Sequence, residues 1–171
     1  MSAVSEIPGE QLADALHRLG VGFVMGGKNN PERLHRRPAR LIEALAGSSE
    51  SRLRLALIPL FLEHPEFAKY VRGAAGRLDP SACLTLQCYY SAAVWLQQLH
   101  RAQLEQLIGQ RATLPDYFAD ELQLARLGDP EENLGLLAER QRALSGSRVN
   151  WLGTYKHAAQ VWLKGLEIQG A

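Results

Sequence analysis

The sharpest chemical pattern in the sequence is Gly22-Phe23-Val24-Met25-Gly26-Gly27-Lys28-Asn29. It matches the Gly-x4-Gly-Lys spacing of loops whose backbone amides cradle phosphate, which makes Gly22, Gly27 and Lys28 candidate phosphate-binding residues. Asn29 stands where such a loop needs a Ser or Thr hydroxyl to hold magnesium. The loop also works only between a strand and a helix whose amides face the phosphates. Here a helix is predicted before it, so a turned connector between helices is the plainer reading.

The other reactive residue types are scattered. No two of His17, His35, His64, His100 and His157 stand three or four apart, so no helix face offers a ready metal pair. His100 falls on the apolar stripe of Leu86, Tyr89, Ala93 and Leu96, as a core or boundary histidine does. Cys83 and Cys88 lie about 140° apart around a helix and cannot bridge each other. They read as small buried apolar residues. No Gly-x-Ser-x-Gly elbow is present, and no histidine has an Arg four to six residues ahead of it, the spacing of helical toxin endoribonucleases. No metal, no cofactor and no catalytic residue is therefore expected, and an enzyme is not the favoured reading.

Charge is more informative than nucleophiles. The total is only +1, yet residues 17–54 carry +5 and residues 105–139 carry −6. Arg33, Arg36, Arg37 and Arg40 recur at three and four, which predicts one face of a helix, and Arg52 and Arg54 extend the basic stretch. Arginine suits forked contacts to carboxylate or phosphate. Two readings stay open: a surface for an acidic partner, or a solvated face paired internally with the acidic half.

A helix-turn-helix over residues 31–63, turning at Gly47-Ser48-Ser49, would make that partner DNA. Its second helix continues Leu53, Leu55, Leu57, Ile58, Leu60, Phe61 and Leu62, which is a core pattern rather than a groove-reading one. The last helix places Trp151, Tyr155, Ala158, Ala159, Trp162 and Leu166 at three-to-four spacing. That stripe faces the core or, with Trp151, Tyr155 and Trp162 as anchors, a second chain.

The elements that must position these residues are helical. Leu and Ala together number 51 against 15 for Val, Ile and Thr, which leaves little material for a sheet. Predicted helices cover 9–19, 31–46 with an interruption at Pro38, 50–63 kinked at Pro59, 65–76, 80–108, a turn from Leu114, 130–145 and 151–168. Asn30-Pro31, Asp79-Pro80 and Asp129-Pro130 each read as a cap followed by the first helical residue. Residues 82–96 are apolar nearly all round, so helix 80–108 is placed at the centre. Neither a repeat nor a linker divides the chain. Connections of two to six residues fit one all-α domain over 1–171, a bundle of six to eight helices.

With 171 residues, 46% of them hydrophobic, the chain can bury a sizeable core without staples. No apolar run is long enough to span a membrane, and Met1–Pro8 lacks a signal-peptide pattern, so a reduced, cytoplasmic protein is expected. The functional expectation is a non-enzymatic binding or regulatory module, working through protein–protein contacts or as a homo-oligomer. Its Arg-rich stretch, 33–54, would meet an acidic partner. The alternatives are a nucleic-acid-binding regulator, a partner of the toxin–antitoxin kind, or a nucleotide-binding protein using residues 22–28.

Overall fold

The computed structural model describes residues 6–23 and 27–169. Among the described residues nine α-helical segments follow one another: α1 (Gly9–Arg18), α2 (Pro38–Ala46), α3 (Ser51–Leu55), α4 (Leu57–Glu63), α5 (Val71–Arg77), α6 (Pro80–Leu99), α7 (Arg101–Ile108), α8 (Pro130–Ser145) and α9 (Trp151–Gln169). Short 3-10 turns cover Leu34–Arg36 and Pro65–Tyr70, and no strand occurs among the described residues. The fold is an all-α bundle, as the Leu and Ala content predicts.

The cap signals at Asp79 and Asp129 work as expected. Each carboxylate accepts a backbone N–H of the first turn, from Ala82 at 2.9 Å and from Glu131 at 3.0 Å. Asn150 does the same for Gly153 at 3.0 Å. At Asn30 the signal misleads. Its side chain accepts from Leu34 N at 3.0 Å, but Arg33 turns left-handed at φ 50°, and only a 3-10 turn forms. The α-helix starts at Pro38, because a proline is tolerated as a first helical residue and not inside one.

Two further boundaries move for related reasons. The expected kink at Pro59 appears upstream, where α3 ends at Leu55 and α4 begins after Ala56. Pro59 has no N–H for the Leu55 carbonyl, and its ring crowds that same carbonyl, so the break falls a turn before the proline. The central helix stops at Leu99 rather than Ile108, with His100 as the joint to α7.

α6 holds the middle. It packs on α8, α4, α2, α5 and α9, and its buried side chains run from Ala82 to Gln97. Tyr90 is wholly enclosed, edge-on to Phe61 of α4 and to Phe118, and stacked on Tyr117. One contiguous apolar cluster links all of these.

Residues 109–129 correct the expectation of short connections and of a short helical turn from Leu114: they contain only turns near 119–123. Polar clamps hold this segment instead. Gln97 donates to Ala112 O at 2.9 Å and accepts from Leu114 N at 2.7 Å. The Tyr90 hydroxyl donates to Pro115 O at 2.6 Å. Arg140 of α8 donates to Leu122 O at 2.9 Å, and Asn133 both donates to Leu127 O and accepts from its N–H. A long segment without helix keeps its backbone groups satisfied only through such partners.

Candidate functional site

The described flanks of the glycine-rich motif lack the preceding strand and following helix of a phosphate loop. Val24, Met25 and Gly26 lie outside the described residues. Gly22 follows α1 by a short turn, and beyond Lys28 no α-helix opens before Pro38. Gly27 answers a packing need, since a Cβ there would sit 1.7 Å from the Glu10 carbonyl oxygen. Lys28 is exposed.

The arginines divide into two groups. Arg33, Arg36 and Arg37 belong to the 3-10 turn and its flanks, while Arg40 lies in α2, so the four do not share one helix face. Arg33, Arg36 and Arg37 are exposed. Burial, then the positive charge of Arg18 and Arg36, lowers the pKa of His35 among them. Arg52 and Arg54 stand apart on α3, at the wall of an open groove.

That groove is open and has a volume of about 1330 Å³. One side comes from the end of α2 and from α3, the other from the end of α8, residues 147–149 and the start of α9. The first turns of α6 lie between them, packed on both α2 and α8. Arg54 is fixed by donating to Ser48 O at 2.8 Å, and Arg52 reaches Glu50 at 3.2 Å. Tyr89 also lines the groove, and burial followed by the Arg54 charge leaves its pKa pushed up to about 12. Trp151 lies against it with ring centroids 6.4 Å apart. Asp79 is the one carboxylate on the groove among the described residues, and an oxygen of it is taken by the Ala82 amide.

The aromatic stripe of α9 is core rather than interface for two of its three anchors. Tyr155 is wholly buried, donates to Gln141 of α8, and is edge-on to Tyr89. Trp162 is buried with its indole N–H on Glu63 Oε2 at 2.8 Å. Only Trp151 remains half-exposed. The structure thus joins Arg52, Arg54 and Trp151 and separates them from Arg33, Arg36, Arg37, Arg40, Tyr155 and Trp162. Sequence reading missed Tyr89, Leu144 and Val149 as groove residues. Their chain distance from Arg52 gave no signal, although Gly146, the left-handed stop of α8, makes a sharp turn beside two of them.

Ion pairing bears on the second of the two readings of the charge asymmetry, internal pairing. Arg18 pairs with Asp14, Arg37 with Glu32 and Arg52 with Glu50, all near in sequence. Arg126 takes Asp116 and Asp120, and Lys156 takes Glu131. Among the described residues no ion pair joins the basic stretch 17–54 to the acidic stretch 105–139. Internal pairing between the halves is therefore not what the structure builds.

The helix-turn-helix geometry is also absent. α3 has five residues, and in α4 every residue from Leu57 to Leu62 is buried, so neither is a recognition helix free to lie in a DNA groove. Among the described residues no three His, Cys, Asp or Glu side chains converge as a metal set, and no helix is long and apolar enough to cross a membrane. Cys88 is buried, and burial pushes its thiol up to about 12, far from the thiolate a nucleophile needs. No family model, curated protein or solved structure matches the chain.

Proposed function

We propose that this chain is a non-enzymatic binding module acting through protein–protein contacts, with an acidic segment of a partner protein as its ligand. The observation that carries this reading is the uncancelled charge. The arginines of residues 17–54 pair only with neighbours in sequence, and two of them stand at the open groove. A groove of about 1330 Å³ exceeds the usual few hundred to about 1,000 Å³ of a small-ligand cleft, and suits a length of chain. Guanidinium groups take carboxylates in forked pairs, which makes Arg52 and Arg54 the contacts of choice. The groove hydroxyls of Thr85 and Thr154 donate to the carbonyls of Ser81 and Asn150 rather than to a base, which fits binding better than chemistry.

A peptide-display selection on the immobilised full chain tests this. Enriched sequences are expected to be rich in Asp and Glu, and the enrichment is expected to vanish for Arg52→Glu. A pool without acidic preference, or one unchanged by the substitution, refutes the proposal. Capture of single-stranded DNA in place of acidic peptides, at the same salt, moves the assignment to the nucleic-acid alternative.

A further inference from the structure

The two sides of the groove differ in chemistry, and the difference specifies its ligand more closely than charge does; the inference rests on the acidic-partner reading above. Arg52 and Arg54 mark the α3 side. On the opposite side stand Leu144 and Val149, 44% and 47% exposed, two of the few large apolar side chains that the fold leaves in water. Gly146, at φ 70°, ends α8 between them and turns the chain so that both reach the groove. The half-exposed ring of Trp151 continues this apolar side.

Tyr89 lies on the groove between the two sides. It is only 5% exposed, and the charge of Arg54 acts on it. The phenol and the guanidinium hydrogens that Ser48 O and Glu50 leave free can donate to acceptors of a ligand. A ligand that is acidic throughout would leave Leu144 and Val149 in water. One that is apolar throughout would cover the guanidiniums without pairing them, which costs their hydration.

We infer that the groove takes an amphipathic acidic segment of a partner protein, with its apolar face against Leu144, Val149 and Trp151 and its carboxylates on Arg52, Arg54 and the Tyr89 hydroxyl. Charge complementarity fits this occupant; a second copy of the chain, whose Glu105, Glu132 and Glu139 are exposed and in no ion pair among the described residues, is the competing occupant that sedimentation separates from it.

Two labelled peptides of about four helical turns, with identical Leu and Glu composition, test the inference by fluorescence anisotropy. One gathers its leucines on one face; the other distributes them around the helix. The first is expected to bind the full chain roughly tenfold tighter. Leu144→Asp, an exposed substitution, is expected to erase that difference, and Arg52→Glu to weaken both peptides. Equal affinity of the two peptides overturns the inference while leaving an acidic partner in place. Failure of both peptides to bind the wild-type chain sinks this inference together with the proposed function. Self-association in sedimentation that Arg52→Glu abolishes would put a second copy in the groove and overturn the inference as well.

Discussion

Gly27 and Lys28 are neighbours in the one motif that suggested nucleotide chemistry, and they should respond in opposite ways to alanine. At Gly27 a methyl group would collide with the Glu10 carbonyl, a backbone atom that can retreat only by moving α1. Gly27→Ala is expected to destabilise by about 1–3 kcal/mol, as overpacking does. Exposed Lys28→Ala should stay within about 0.5 kcal/mol. Denaturant titration of both variants checks this; a neutral Gly27→Ala would contradict the close approach. Glu63 is a second informative residue. Burial raises its pKa above 4.5, opposed by the hydrogen bond from Trp162. A raised acid pKa means that the folded state binds the proton more tightly than the unfolded one. Its contribution is therefore fully present below about 4.5 and lost as pH rises through the higher folded value. Glu63→Gln, which keeps an acceptor for the indole, is expected to gain stability relative to wild type as pH climbs through that window. A pH-independent difference between the two unfolding curves would show that the carboxylate is not desolvated.

At the scale of elements, the polar clamps matter more than helix propensity. Gln97 is buried in α6 and serves both the Ala112 carbonyl and the Leu114 amide. Gln97→Leu removes both bonds and strands two backbone groups, at about 1–3 kcal/mol for each group left unsatisfied. Hydrogen exchange should locate the damage in residues 112–115, with α6 itself still protected; uniform loss across the bundle would argue against a local clamp. Helix starts were legible at Asp79, Asp129 and Asn150 because a cap and its first turn are local chemistry, complete within four residues. Asn30-Pro31 carried the same local signal and failed. Pro38, seven residues on, bars a continuous helix, and Arg33 instead takes a left-handed turn. Residues 109–129 were misread because their partners, Gln97, Tyr90 and Arg140, lie in other helices. The amphipathic face of a helix can be read from its own period; a loop held by tertiary hydrogen bonds cannot.

For the whole molecule the same division holds. The all-α class and the central apolar helix follow from composition and from a segment with no polar face, which must be covered on several sides. The groove does not follow, because it is assembled from residues near 46–55, 79–89 and 141–157, and only the fold makes these neighbours. Charge asymmetry is visible along the chain; that the two halves do not pair with each other is a property of the fold. This uncancelled charge separates what holds the fold from what the groove does. The ion pairs formed by Arg18, Arg37, Arg52 and Arg126 involve arginine side chains at least half exposed, where each contributes about 0–1 kcal/mol. Stability rests instead on the apolar cluster and its buried hydrogen bonds, which salt screens little. Raising NaCl from about 0.05 to about 0.5 M, which shortens the screening length to a few ångströms, should therefore barely move the unfolding midpoint. Over the same range acidic-peptide affinity should fall severalfold, and Arg52→Glu should flatten that dependence. A midpoint that drops in step with affinity would mean that ion pairs hold the fold, and that the arginines of the groove are structural.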